Sequence, residues 1–370
     1  MADQTVRVGM IGTSWWADVM HVPALMNHPG AEVVAICGRN AERTQAKAAQ
    51  WNIPNAYTDY REMIGNNTLA MDAVVIATPN ESHHAIAMTA MNAGLHVLCE
   101  KPLAMNYAEA KEMADTAAAK GLITLVPFTY AFMPTARYMK ELVDDGYLGK
   151  PYHLNLRYYA GYGRDGKYGW RFDKGIAGSG ILGDLGSHFV YLADMFFGDI
   201  RRVSCLLSYH VPREESNADG NPYEVADDGA IITVEFASGA QGVIQVTAAA
   251  YEATPFGQIH QMELYGSGGT LRSVTDWDTI QQVSGARDGE GAVTELEIPD
   301  HIWGGARRDY IPDTYTDIFH LQDHMVRQFI TGVLEKTRQK PDFEDGARIQ
   351  QVIDAALQSH LQNGCRIEIT

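Results

Sequence analysis

Lys101, in "CEKPLA", and the pair Asp184 and His188, four positions apart in "GILGDLGSHFVYL", are the side chains of this 370-residue chain whose types suit proton and hydride chemistry. A residue before proline is pushed out of the helical region, so Lys101 belongs at the end of the strand-like "HVLCE" and not in the helix after it. At the carboxyl end of a parallel strand, where open α/β sheets bind their ligands, its ammonium can hydrogen-bond a reacting oxygen and stabilise developing alkoxide charge. The plainer alternative is a surface lysine with a solvated tip. Asp184 and His188 lie one helical turn apart, on a different face from Leu185, Phe189, Leu192 and Phe196, which recur at core-facing spacing. An imidazole that titrates near neutrality is a suitable base for an alcohol proton, and a nearby carboxylate can bind a hydroxyl or tune that base. An N-cap aspartate for a helix starting at Leu185 or Gly186, or a core histidine, would produce the same pattern.

The elements that must position these residues fall into two groups. In the first third, "TVRVGMI", "EVVAIC", "DAVVIAT", "HVLCE" and "ITLV" are strand-like, separated by helical stretches over 15–28, 41–50, 81–93 and 106–120. Short apolar strands between helices of that length predict βαβ units and a parallel, doubly wound sheet. Beyond 127 a helix over 134–145 leads into alternating strands, "KPYHLNLRYYA", "IRRVSCLLSYH", "DGAIITVEFA", "AQGVIQVTAAA" and "HQMELYGSGGTLRS". Strands without helices between them predict an α+β domain with a mostly antiparallel sheet, so the expected domains are 1–127 and 128–370. Helical stretches over 314–335 and 345–362 and a terminal strand in "CRIEIT" complete the expected elements. The loop from Gly161 to Gly180, rich in glycine and aromatic residues, is long enough for a binding role.

Directly after the first strand, "GTSWWA" fits the dinucleotide fingerprint GxGxxG/A if Ser14 stands where the second glycine belongs. Gly12, Thr13, Ser14, Trp15 and Trp16 would then form a loop whose helix N-terminus offers amides to a pyrophosphate; a tight strand-to-helix turn with no ligand is the alternative. The second strand ends in "ICGRN", where Gly38 carries no carboxylate for ribose hydroxyls and Arg39 can pair with a 2′-phosphate. NADP is therefore favoured over NAD as the cofactor, unless Arg39 only caps the strand in solvent or stacks on the adenine.

The composition narrows the partners. A net charge of −17 and the lack of any basic run disfavour nucleic acid and anionic membranes. No apolar stretch reaches the roughly 18 residues of a membrane span, and "MADQTVRVGMIG" lacks the charged and apolar regions of a signal peptide, so a cytoplasmic protein is expected. Cys37, Cys99, Cys205 and Cys365 are scattered singly, which predicts buried, reduced thiols and neither a metal site nor a disulfide framework.

The segment "ATPNESHHAIAMTAMNAGLHVLCEKPLA" resembles the glucose-fructose oxidoreductase, inositol dehydrogenase and rhizopine catabolism (Gfo/Idh/MocA) family, with Thr78, Pro79, Asn80, His83, Glu100, Lys101 and Pro102 in family register. The resemblance implies an NAD(P)-dependent oxidoreductase acting on a sugar, sugar derivative or cyclitol, with its site at the interdomain cleft. Lys101, Asp184 and His188 then form the family's catalytic set: His188 as base, Lys101 polarising the oxygen, Asp184 binding a neighbouring hydroxyl or tuning His188. The same resemblance places Thr78, Pro79, Asn80, His83 and Glu100 at the cofactor, Asn80 and His83 near the nicotinamide ribose, and Trp15 and Trp16 on the nicotinamide side. It also implies an open second-domain sheet whose exposed face makes a homodimer or homotetramer. Tyr162, Tyr168, Trp170, Arg171 and Asp173 are candidate sugar contacts, through ring faces and charged groups. Ser14, and Tyr191 where many members have an aspartate, depart from the family pattern. An NAD-dependent glycosidase that keeps its cofactor, and a non-catalytic sugar or nucleotide sensor, are the alternative functions.

Overall fold

The short apolar strands of the first third assemble as read: β1 (Val6–Ile11), β2 (Ala31–Cys37), β3 (Asn55–Tyr57), β4 (Ala73–Ile76), β5 (His96–Cys99) and β6 (Thr124–Leu125) form one sheet in the order β3-β2-β1-β4-β5-β6. Every pairing in it is parallel. The chain is seen in a computed structural model, which describes residues 5–251 and 254–369. β1, β4 and β5 are almost wholly buried, as strands covered on both faces must be.

The longer alternating strands build a second sheet. It comprises β7 (Pro151–Ala160), β8 (Ile200–Ser208), β9 (Gly229–Phe236), β10 (Gln241–Thr247), β11 (Gln258–Gly266), β12 (Gly269–Asp276), β13 (Ile280–Arg287), β14 (Thr294–Leu296) and β15 (Ile367–Glu368). Its order is β14-β13-β12-β11-β7-β10-β9-β8-β15. β7 and β10 run parallel and their neighbours antiparallel. Along β9, Ala230, Ile232, Val234 and Phe236 are buried while Ile231 and Thr233 are exposed, the alternation of a sheet with one covered face. The helix Ser187–Phe197 packs against β7 and β10.

Two compact units result: the chain through Pro127 together with Thr316–Gln350, and Phe128–Tyr315 together with Gln351 onward. The segment 316–350 thus joins the first unit, although sequence continuity groups it with the second. Hydrogen bonds hold it there: Val126 N–H donates to Pro341 O at 2.8 Å, and Phe343 N–H to the Thr124 hydroxyl at 3.2 Å.

Several local expectations are corrected. The stretch 314–335 is two helices, Ile311–His320 and Met325–Glu335, broken where Met325 takes a left-handed φ of 53°. The stretch 15–28 is helical as expected, without a break from Trp15 through Met26, but carries a π-helical turn, Ala17–His21, inside it. "HQMELYGSGGTLRS" is the hairpin β11–β12, and β3, β13 and β14 are further strands. Cys37, Cys99 and Cys205 are buried free thiols, but Cys365 is exposed because it follows the last helix in a turn. Among the described residues no helix is long and apolar enough to cross a membrane, and no cluster of acidic, His and Cys side chains could hold a metal ion.

Candidate active site

In the first unit, parallel strands send their following loops to one edge of the sheet, and the strand order reverses between β1 and β4. Gly12 follows β1, Gly38 and Arg39 follow β2, Thr78 to Asn80 follow β4, and Glu100 and Lys101 follow β5. Gly12 adopts φ 130°, and a Cβ there would lie 2.3 Å from Ala77 O, so only glycine lets the loop leave β1 this closely. The Ser14 hydroxyl accepts the Ala17 N–H at 3.3 Å and its carbonyl accepts the Asp18 N–H at 3.1 Å. Ser14 therefore caps the turn Ala17–His21 as well as standing in the fingerprint.

Trp15 and Trp16 separate. Trp15 is 71% exposed, while Trp16 packs edge-on against Phe319 with ring centroids 5.9 Å apart and donates its indole N–H to Glu100 Oε1 at 2.7 Å. His21 Nε2 donates to the same oxygen at 2.8 Å, and the Lys101 N–H reaches Glu100 Oε2 at 3.2 Å. Burial by itself would raise the Glu100 pKa; the His21 hydrogen bond and the charges of His21 and Lys101 outweigh it and hold the carboxyl below its usual range. Both Glu100 oxygens are thus engaged inside the protein, bracing the first turn against the lysine-bearing loop. The Lys101–Pro102 peptide is cis, and Lys101 is half-buried at the carboxyl end of β5.

His83 is buried, with Nδ1 2.9 Å from Pro102 O and Nε2 2.9 Å from Thr78 O. Its ring sits between the main chains of the two loops, and its burial pushes its pKa down, favouring the neutral ring, which donates to one of the two carbonyls. Asn80 is buried beside it in a short turn, and the Ser82 hydroxyl donates to Thr78 Oγ1 at 2.7 Å. At the end of β2, a Cβ on residue 38 would lie 2.6 Å from Thr13, which leaves no room for a carboxylate. The Arg39 side chain is 84% exposed, 4.0 Å from Glu81. Arg43 donates from Nε to Thr13 Oγ1 at 3.2 Å and so lies against the loop after β1; its signal in the sequence is its place three residues after the helix cap Asn40.

In the second unit, Asp184 lies inside the π-helical turn Leu182–Gly186, directly before the helix Ser187–Phe197. Leu185, Phe189, Leu192 and Phe196 are buried, as their spacing requires. Asp184 is not that helix's cap: its Oδ2 accepts the Tyr162 hydroxyl at 2.6 Å and pairs with Arg171 Nε at 3.0 Å. Arg171 in turn lies over the Trp170 ring, 4.6 Å from its centroid. The long aromatic loop thus brings two of its expected residues, Tyr162 and Arg171, to the carboxylate, with Trp170 beneath Arg171.

His188 is 5% exposed, its ring 4.5 Å from that of Tyr130 and edge-on to Phe128 at 6.2 Å. Tyr130, which the sequence reading did not single out, shares a 2.6 Å hydrogen bond with the Tyr158 hydroxyl; burial pushes its phenol up to about 12. Tyr191 stacks on Phe128 at 4.6 Å, so its ring serves packing. Asp173 is buried and accepts from Gly175 N–H and the Tyr168 hydroxyl, so these two brace the loop.

Residues 6–128 match the oxidoreductase family with an NAD-binding Rossmann fold, and residues 136–272 match the GFO/IDH/MocA C-terminal domain. A levoglucosan dehydrogenase of Pseudarthrobacter phenanthrenivorans is 27% identical over 96% of both chains. A 1,5-anhydro-D-fructose reductase of Ensifer adhaerens is 30% identical over 79% of this chain and 82% of its own. The solved structure of a levoglucosan dehydrogenase in complex with NADH superposes with a TM-score of 0.87 at 25% identity, over 99% of this chain and 100% of the other. The chain belongs to the Gfo/Idh/MocA family of oxidoreductases. It is an enzyme that works with a nicotinamide cofactor.

Proposed function

We propose that the protein interconverts a secondary alcohol and a ketone on a sugar, sugar derivative or cyclitol, with NADP(H) favoured over NAD(H). The observation that carries the reading is the assembly at Asp184, where Tyr162 and Arg171 meet its carboxylate one turn before His188. A hydroxyl-binding carboxylate set among rings suits a polyhydroxylated substrate, and the two relatives named above act on levoglucosan and 1,5-anhydro-D-fructose by their names.

The residues fit a dinucleotide: a glycine with positive φ opens the loop after β1, a helical turn begins there, and two arginines stand near the end of β2. Gly12 to Trp16 would hold the pyrophosphate side, and Arg39 and Arg43 a 2′-phosphate. When bound, the nicotinamide supplies the hydride acceptor or donor. Lys101 hydrogen-bonds the reacting oxygen and stabilises its charge as the hydroxyl proton leaves. His188 takes that proton, and returns it in the reductive direction. Asp184 holds a neighbouring hydroxyl in exchange for its Tyr162 or Arg171 contact. The chain assembles as a homodimer or homotetramer through the bare face of its second sheet, where Leu206 and the facing Ile231 are exposed.

The test is a screen of levoglucosan, methyl glucosides and inositols with NADP⁺ and NAD⁺ in parallel, following nicotinamide absorbance. Reduction of the cofactor by at least one of them is expected, with tighter binding of NADPH. Tighter NADH binding overturns the cofactor preference, and sugar release without net absorbance change overturns the dehydrogenase reading in favour of a glycosidase.

A further inference from the structure

The residue at the start of the Asp184 turn is Ile181, which has no side-chain acceptor, so the first amides of the turn must find one elsewhere. They find it forty-five residues on. Asp227 is 2% exposed; its Oδ1 accepts the Gly180 N–H at 2.8 Å, its Oδ2 accepts the Leu182 N–H at 2.7 Å, and its carbonyl accepts the Ile181 N–H at 3.1 Å. Three consecutive amides are thereby fixed by one residue. Gly180 in turn accepts the N–H of Asp184 itself at 2.9 Å. The fit is close: a Cβ on Gly180 would lie 2.0 Å from Asp227 O.

We infer that Asp227 is a positioning residue for the reaction, a cap supplied from the distant segment just before β9 that sets where Asp184, and with it His188, stands. The inference rests on the reading of Asp184 and His188 as reacting groups. A hydrophobic contact could hold this segment down, but only a bidentate acceptor fixes the rotation of its main chain, and that rotation aims the Asp184 carboxylate. Nearby Asp228 has a different task, accepting Ser208 Oγ and the Val211 N–H, so the two aspartates are not interchangeable.

The experiment is a double-mutant cycle in the full chain with D184N, D227N and both together, using the sugar turned over fastest in the screen above and counting folded sites by NADPH titration. D227N is expected to lower kcat per titrated site by at least about tenfold, with KM and cofactor Kd within about twofold, and the double variant to lie within about threefold of D184N alone. Wild-type kcat per titrated site in D227N, or losses that multiply in the double variant, would overturn the inference. If D227N fails to fold, G180A displaces the same segment while keeping the carboxylate; the same kcat-specific loss is expected, and an unchanged kcat overturns the idea. A D184N variant with wild-type turnover would instead defeat the reading of the site itself, a distinguishable outcome.

Discussion

Ala17–His21 in the first unit and Leu182–Gly186 in the second are both π-helical turns, each held by one buried carboxylate, Glu100 and Asp227 respectively. Glu100 is met by the side chains of Trp16 and His21 and lies beside Lys101; Asp227 is met by main-chain amides. Burial disfavours the charged form of both. Partners that carry charge reverse that penalty at Glu100, whereas amide dipoles reduce it only in part at Asp227, whose pKa is raised to about 6. Similar local architecture therefore gives one brace that is firmly ionised and one close to titration.

The largest effects lie at the residues the two turns serve. Lys101→Met and His188→Ala should each lower kcat by at least about a hundredfold with cofactor Kd within about twofold, in steady-state and fluorescence titrations. Weakened cofactor binding in His188→Ala would break the division of labour between the two regions. Next, Glu100→Gln leaves one of its buried donors without a charged acceptor and should cost about 2 kcal/mol of stability, seen as a lower Tm.

A smaller effect separates the two carboxylates by sign. Asp227 is raised in the folded state, so its folded form holds a proton that the unfolded form has released; the wild type should lose stability relative to D227N as pH rises from about 4 to 6. Glu100 is lowered, so relative to E100Q the wild type should lose stability as pH falls below about 4.5. Melting curves across this range, with slopes of one sign for both variants, would refute the electrostatic distinction. The smallest change is Ser14→Ala, which removes the hydroxyl that accepts Ala17 N–H and should cost about 0.5–1 kcal/mol.

What was legible in the sequence follows from what spacing encodes. Periodicity placed β1, β2, β4 and β5, the helix after Asp184 and the loops after the strands, because burial on one or two faces writes itself into the pattern. The direction of a side chain is not written there. Glu100 and His83 sit in the segments that follow β5 and β4, yet both turn inward, Glu100 to Trp16 and His21, His83 to the carbonyls of Pro102 and Thr78. Asp227 was overlooked because its partners lie forty-five residues away. The break between Ile311–His320 and Met325–Glu335 contains neither glycine nor proline, so no local signal marked it.

The return of residues 316–350 to the first unit orders events during synthesis. His320 Nε2 donates to Val19 O at 2.9 Å, and Phe319 lies against both Trp16 and His21. The supporting shell of the loop after β1 is therefore encoded near the opposite end of the chain from the loop itself. A ribosome that has released the whole parallel sheet has not yet released the rings and carbonyl partners that close it. Competence to bind the dinucleotide tightly should then arrive late in translation, and a nascent chain stalled after residue 127 should hold a sheet without a finished site.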